Sequence, residues 1–329
     1  MSDHVPVMLP EVLEALQPQA GHAVVDGTFG AGGYTAAILE TGAHVIAFDR
    51  DPKAIAEGRK RFADHAQLRL TEAPFDTLDQ EVEPGSVDGA VFDLGVSSMQ
   101  LDQSERGFSF MRDGPLDMRM GQGASAEELV NTAEQADLKT ILWQYGEEKR
   151  SGSLAAAIVR ERQKAPIKTT GSLAAIAGVQ RAKDKIHPAT RMFQAIRIFV
   201  NDELGQLVRA LMAAERVLKE GGRLVVVTFH SLEDRIVKRF FSMASGGEGG
   251  ASRHQPEIMR DAPSLELISR RAIAASDDEA AINPRARSAK LRAAIRTSAP
   301  VTNWTDDRLQ RLGAPSLVFS SLQRQWSSS

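Results

Sequence analysis

The chain's first candidate chemistry lies in Asp26-Gly-Thr-Phe-Gly-Ala-Gly-Gly-Tyr-Thr35, between the apolar run Ala23–Val25 and a helix-like segment, Ala36–Glu40. Strand, glycine turn and helix in that order build a nucleotide pocket. Gly30, Gly32 and Gly33 let the backbone take positive φ and come close to a ligand that a Cβ would hold off. The following apolar run, His44-Val-Ile-Ala-Phe-Asp49, ends in a carboxylate suited to the two hydroxyls of a ribose. The dinucleotide fingerprint wants a third glycine where this chain has Thr35. That departure favours an adenosyl ligand without phosphates, such as S-adenosylmethionine, over NAD.

Three further segments are rich in residues able to touch a ligand. In the first, Val91–Asp102 followed by Arg106–Met120, Asp93 closes a strand. Polar side chains at the carboxyl edge of a parallel sheet face the ligand crevice, so Asp93 is expected to line it. Phe108, Phe110, Met111 and Met118 either seal a domain junction or touch substrate. The second is Lys185–Glu203. The third, Val227–Ile236, puts His230 and Ser231 just after another strand, where His230 is either structural or catalytic.

The elements that position these residues alternate. Ala23–Val25, His44–Asp49, Leu68–Glu72, Val87–Leu94 and Arg223–Phe229 read as strands, with helical patterns between the first four. That predicts a doubly wound, mostly parallel α/β sheet. More than a hundred residues separate the fourth and fifth strands, too many for a crossover helix, so an inserted helical domain is expected. In it Ser125-x-x-Glu128 opens a helix as a capping box, Gly146 closes one, and Thr170 caps another running to about Arg181. His187-Pro188 starts a long helix with apolar positions from Met192 to Leu211. After the fifth strand come a helix over Leu232–Phe241 and a glycine-rich loop at Ser245–Gly250. Leu265–Ser269 and Lys290–Ile295 read as the last strands. The expected division is a catalytic domain of 1–104 and 203–297, an inserted domain of 105–202, and a tail of 298–329.

Composition excludes several classes. Among 329 residues there is no cysteine, which rules out disulfides, thiolate zinc sites, iron–sulfur clusters and a Cys nucleophile. The histidines show no metal-binding spacing, so no metal is expected. Apolar runs are too short for a bilayer and the N-terminus has no signal-peptide pattern, so the cytoplasm is expected. The net charge of −3 hides an asymmetry: residues 1–100 carry 6 Lys/Arg against 16 Asp/Glu, whereas residues 149–197 carry 11 basic residues against Glu161 and Asp184. A basic helical block of that kind suits phosphate neutralisation, and Arg160, Arg162, Lys164, Lys168 and Arg191 are its candidate RNA contacts.

Taken together, these blocks resemble the MraW family, the ribosomal RNA small-subunit methyltransferases H. The resemblance runs from His4-Val-Pro-Val-Met8 through the glycine turn, Phe48–Pro52, Phe92–Met120, Lys185–Glu203 and Phe229–Arg235 to Asn283–Arg292, about the first 297 residues. It implies a Rossmann-like class I methyltransferase sheet that uses S-adenosylmethionine to methylate the exocyclic N4 of one cytidine in the decoding region of 16S ribosomal RNA. Because a cytosine edge alone cannot single out one cytidine, selection by surrounding shape is expected, and with it a folded small ribosomal subunit as substrate. The cofactor positions it implies are Gly32, Gly33, Tyr34, Asp49, Phe75, Asp93 and Gln100. The cytosine amine is a poor nucleophile, because its lone pair is delocalised into the ring, and a carboxylate or carbonyl accepting an N4–H would localise that pair. Asp93 is the first candidate for that acceptor, with His230, Asp113 and Asp117 as alternatives. A nicotinamide dehydrogenase would share the sheet and Asp49 but leave the basic insertion unexplained. A catalytically silent RNA-binding assembly factor would share the insertion and need no methyl donor.

Overall fold

The computed structural model describes residues 6–95, 103–180, 186–247 and 262–315. Gln100 and the second half of the Ser245–Gly250 loop lie outside them. The described residues form two compact units, one holding the chain up to Gly95 together with Gln206–Ala314, the other ending at Gly205.

The first unit is built on one sheet. Its strands are β1 (Ala23–Asp26), β2 (His44–Asp49), β3 (Leu68–Glu72), β4 (Val87–Asp93), β5 (Leu218–Thr228), β6 (Leu265–Leu267), β7 (Ile273–Ala274) and β8 (Lys290–Arg296). Their order is β3-β2-β1-β4-β5-β8-β6, with β7 also on β8. β1 to β5 are mutually parallel, while β8 runs antiparallel to both β5 and β6. The fifth strand starts earlier than its apolar run suggests. Leu218 pairs with Val87 and Arg223 with Gly89, so Lys219–Gly222 are accommodated in a bulge. Val24, Val45, Val91, Val225 and Val227 are nearly solvent-free, as the middle of a sheet covered on both faces requires.

Helices α1 (Leu9–Leu16), α2 (Gly33–Glu40) and α3 (Pro52–Arg61) pack their apolar positions on this sheet, burying among others Leu16, Ile38 and Ile55. A short helix, α4 (Leu78–Glu81), precedes β4. Strand order reverses between β1 and β4, because the chain goes outward from β1 to β2 and β3 before returning to β1's other side. A ligand crevice forms at the carboxyl end of such a switch point.

The second unit is helical: α5 (Ala126–Thr132), α6 (Gln135–Gly146), α7 (Ser151–Arg162), α8 (Thr170–Ala177) and α9 (Thr190–Val200). Ser125 caps α5 by accepting from the Glu128 N–H. Two cap positions differ by one residue from the sequence reading. Thr169, not Thr170, caps α8, and α6 ends with Glu147 in the left-handed region at φ 48° while Gly146 stays helical. Gly146 is needed for another reason: a Cβ there would sit 2.5 Å from the Arg191 carbonyl oxygen.

The long helix expected from His187 is two helices. α9 stops at Val200, Asp202 takes φ 48°, and α10 (Glu203–Val217) begins afresh. Asn201 causes the break. Its Nδ2 donates to the carbonyls of Met118 and Arg197, and its Oδ1 accepts from the Met120 N–H, all at 2.8 to 2.9 Å. A bidentate pair between Arg197 and Glu203, at 2.7 and 2.8 Å, closes the corner.

α11 (Ser231–Ala244) follows β5, and α12 (Asp277–Ile282) precedes β8. The stretch expected to be a tail is partly folded. Beyond Ser298 the Trp304 indole stacks on Phe240, with centroids 4.4 Å apart, and donates to Glu215 at 2.8 Å. Glu215 also accepts from the Thr302 N–H, and a further helix, α13 (Asp306–Arg311), follows with Thr305 as its cap. Buried Glu215 is thereby satisfied, which is the physical reason this segment docks. Among the described residues no helix is long and apolar enough to cross a membrane.

Candidate active site

The switch point is built by three short pieces of chain. The turn after β1 runs Gly27 to Gly32, with Gly30 at φ 53° and Gly32 at φ 76°, values that L side chains rarely tolerate. The Gly27 N–H donates to the Val91 carbonyl, and the Thr28 hydroxyl accepts the Asp93 N–H at 2.7 Å. The turn is therefore pinned to β4 on one side. On the other, the Gly30 N–H donates to Asp49 at the end of β2, at 2.8 Å.

Asp49 holds two jobs at once. Its second oxygen accepts from the Asp51 N–H at 2.8 Å, so each oxygen is bound to backbone and retains a lone pair for a hydroxyl donor. Burial pushes its carboxyl above the usual range, against the pull of those two N–H groups. The geometry suits a vicinal diol such as a ribose.

Asp26 is a site residue that the sequence reading missed. It is solvent-free, accepts from the Thr35 hydroxyl at 2.7 Å and from the Thr28 N–H at 3.1 Å, and burial lifts its pKa to about 6. The signal was present as the unexplained Thr35: the residue standing where the third glycine belongs carries the hydroxyl that pairs with Asp26. Asp93 goes further. Burial, with the negative charges of Asp26 and Glu233, raises it to about 8, and its buried Oδ1 has no hydrogen-bond partner among the described residues. A buried polar atom left unpaired costs on the order of 1–3 kcal/mol unless a ligand satisfies it.

The remaining candidates from the sequence fall in several environments. Gly32 and Gly33 lie in the turn and at the start of α2. The Tyr34 side chain is buried and its hydroxyl donates to the Val7 carbonyl, which leaves its backbone as the part able to meet a ligand. Phe75 stands in a 3-10 turn after β3 with its ring edge-on to Phe92, centroids 5.4 Å apart. His230 is the N-cap of α11: its Nδ1 accepts from the Glu233 N–H at 3.4 Å, and Glu233 returns the bond to the His230 and Phe229 N–H groups. His230 Nε2 lies 3.0 Å from a Glu233 oxygen, out of hydrogen-bonding alignment.

In the second unit, Asp113 accepts from the Gly171 N–H at 2.7 Å and from Gly114, bonds that hold its carboxyl below the usual range. Asp117 is lowered by a two-bond pair with Arg119, each at 2.8 Å. Both carboxylates are spoken for structurally and are weak bases. The basic candidates divide too. Arg160 and Lys164 flank Glu161 on an exposed face, Lys168 is exposed, and exposed Arg191 donates to the Glu147 carbonyl. Arg162 turns inward and donates to the carbonyls of Val130 and Ala133, closing the end of α5.

A doubly wound sheet with a glycine turn, a diol-binding carboxylate and two buried acids at its switch point defines an α/β enzyme with an adenosyl-type crevice. The MraW methylase family matches residues 1–297. The ribosomal RNA small subunit methyltransferase H of Allorhizobium ampelinum is 58% identical over 302 residues, covering 90% of this chain and 88% of that protein. Its counterpart from Caulobacter vibrioides is 58% identical over 305 residues, covering 91% and 97%. The chain belongs to the MraW methylase family.

Proposed function

We propose that this protein transfers a methyl group from S-adenosylmethionine to the exocyclic N4 of one cytidine in the decoding region of 16S ribosomal RNA, in the cytoplasm and on the small ribosomal subunit. The observation that carries the reading is Asp93, a buried carboxyl with an unpaired oxygen at the switch point. The electrostatics of the crevice suit the cofactor. Asp49 lies close enough to raise Asp26, and Asp26 and Glu233 close enough to raise Asp93, so the crevice carries negative potential even while Asp93 holds a proton. It would repel a pyrophosphate and welcome a cation. When bound, S-adenosylmethionine supplies an electrophilic methyl on a positively charged sulfur.

The protein's residues do the rest. Asp49 would hold the ribose hydroxyls, the backbone of Gly32, Gly33 and Tyr34 would meet the methionine portion, and Phe75 would flank the adenine. Methylation leaves N4 with one proton too many, and Asp93 is the acceptor for it. A cation in the crevice favours the charged form of Asp93 and brings its pKa down toward neutrality. Asp113 and Asp117 are held in structural roles, whereas His230 caps α11 through Nδ1 and keeps a buried, unpaired Nε2, so His230 is the alternative acceptor to Asp93. Methylation at cytosine C5 by the thiolate route is closed to a chain without cysteine.

One cytosine edge cannot distinguish one cytidine from another, so selection must come from surrounding RNA shape, read by the helical basic unit through phosphates and 2′-hydroxyls. The target base would be extruded to reach the crevice. The test is incorporation of labelled methyl into assembled small subunits, naked 16S RNA and a short cytidine-containing oligomer, followed by nucleoside mass spectrometry. N4-methylcytidine formed fastest on assembled subunits is the expected result. Methylation at another atom would overturn the chemistry, and equal rates on all three would overturn the shape readout.

A further inference from the structure

We propose that Asp76 reads the adenine of the methyl donor: its Oδ1 accepts an N–H of the exocyclic 6-amino group and thereby sets which purine the crevice takes. The proposal rests on the reading that Asp49 holds the cofactor's ribose.

Asp76 is left half-satisfied by the fold. Its Oδ2 accepts from Arg209 Nε on α10 at 2.7 Å, whereas its buried Oδ1 has no hydrogen-bond partner among the described residues. Only 9% of the Asp76 side chain is exposed, although the Arg209 side chain that pairs with it is 49% exposed. An ordinary surface ion pair leaves the second carboxylate oxygen in water. Here that oxygen is withdrawn from water with nothing in its place, a situation that native folds reserve for atoms with a further use. The pair with Arg209 suits such a use, because it fixes which oxygen is free and balances the carboxylate's charge.

The place of Asp76 in the fold says what the free oxygen meets. It lies in the 3-10 turn Phe75–Thr77 after β3. Just before that turn, the Ala73 N–H donates to the carbonyl of Asp49 at 3.1 Å. Two residues on, the Phe75 ring meets Phe92 of β4 edge-on, and the Phe75 Cβ lies 3.3 Å from where a Cβ on Gly27 would stand. The segment Ala73–Asp76 therefore leads from the diol carboxylate back to the glycine turn and walls that side of the crevice. Thr77 locks it, since its N–H and its hydroxyl both donate to the Pro74 carbonyl, at 3.1 and 2.8 Å. A ribose on Asp49 carries its base one glycosidic bond away, against this wall. Phe75 offers the base an apolar surface but cannot tell one purine from another. A carboxylate oxygen can, because it accepts from a 6-amino group and repels a 6-keto oxygen.

The experiment is isothermal titration of the full chain with S-adenosylhomocysteine and with S-inosylhomocysteine, whose base carries a keto oxygen in place of the 6-amino group. The wild-type protein should bind the inosyl compound at least about 100-fold more weakly. Asp76→Asn keeps the shape and, with its amide oxygen still on Arg209, presents an NH2 to the base. It should lose about tenfold or more in affinity for S-adenosylhomocysteine and bring the two compounds within about tenfold of each other. Its KM for S-adenosylmethionine should rise in step, with kcat at saturating cofactor within about twofold of wild type, because the 6-amino group takes no part in methyl transfer. Equal wild-type affinities for the two compounds would overturn the proposal whether or not the variant folds, and would leave Oδ1 to solvent. A wild-type preference that persists in folded Asp76→Asn would also overturn it, leaving Asp76 as the partner of Arg209 alone. Undiminished S-adenosylhomocysteine affinity in Asp49→Ala would instead overturn the ribose placement, and this proposal with it.

Discussion

Thr28 accepts the backbone N–H of Asp93 through its hydroxyl at 2.7 Å, which ties the turn after β1 to the end of β4 across the switch point. The bond fixes the Asp93 backbone while leaving its Oδ1 unpaired, so the carboxyl is held in place yet available to a ligand. Asp93→Asn should therefore keep the geometry and lose the proton acceptor. kcat/KM for methylation should rise with pH and level off above about 8 in the wild-type protein. Asp93→Asn should abolish that limb and lower the rate by roughly 10²–10⁴. An unchanged profile in the variant would remove Asp93 from the chemistry.

The same two acids set a pH dependence of stability. Asp26 and Asp93 have folded pKa values of about 6 and about 8, above the ordinary 3.8, so the folded chain holds more protons than the unfolded one in that window. Stability should fall as pH rises from about 4 through 8. Asp93→Asn should raise Tm by about 3–6 °C at pH 8 and change it little at pH 4, near the ordinary carboxylate pKa where the fall begins. A shift of equal size at both pH values would mean that Asp93 is not raised.

Asp49→Ala should weaken S-adenosylmethionine binding through lost charge-assisted hydrogen bonds worth roughly 1.5–3 kcal/mol each. The Gly30 and Asp51 N–H groups would lose their acceptor as well, loosening the turn. Isothermal titration reads the cofactor, and RNA affinity serves as the control that should stay constant. Parental cofactor affinity in the variant would place the pocket elsewhere.

Charge reversal at Arg160, Lys164 and Lys168 should reduce RNA affinity and flatten its dependence on salt, with cofactor affinity unaffected. Arg162 belongs to a different experiment, because its guanidinium closes the end of α5. Arg162→Ala should destabilise the fold by about 1–3 kcal/mol, as chemical denaturation would show. Unaltered salt slopes in the triple reversal would make this face merely solvated.

The strands of the parallel sheet were legible because four are apolar runs bounded by turn residues and β3 alternates apolar with polar positions, and the carboxylates ending β2 and β4 could be placed from that alone. Properties that depend on a distant partner were not legible. The spacing from Met192 to Leu211 reads as continuous helix, yet Asn201 breaks it by reaching carbonyl and N–H groups some eighty residues away in sequence. Arg160 and Arg162 look alike in a charge count, but one faces solvent and the other serves as a cap. Thr35 read only as a missing glycine until the burial of Asp26 gave it a role.

The docking of Trp304 on Phe240 and Glu215 separates two boundaries that are easily taken as one. The family match stops at residue 297, whereas packing in this chain continues through Leu312, which is fully buried. A chain trimmed at residue 297 would uncover the Phe240 ring and strip a buried carboxylate of two of its donors. The stretch that matches the family and the stretch that packs into the fold are therefore different lengths of polypeptide.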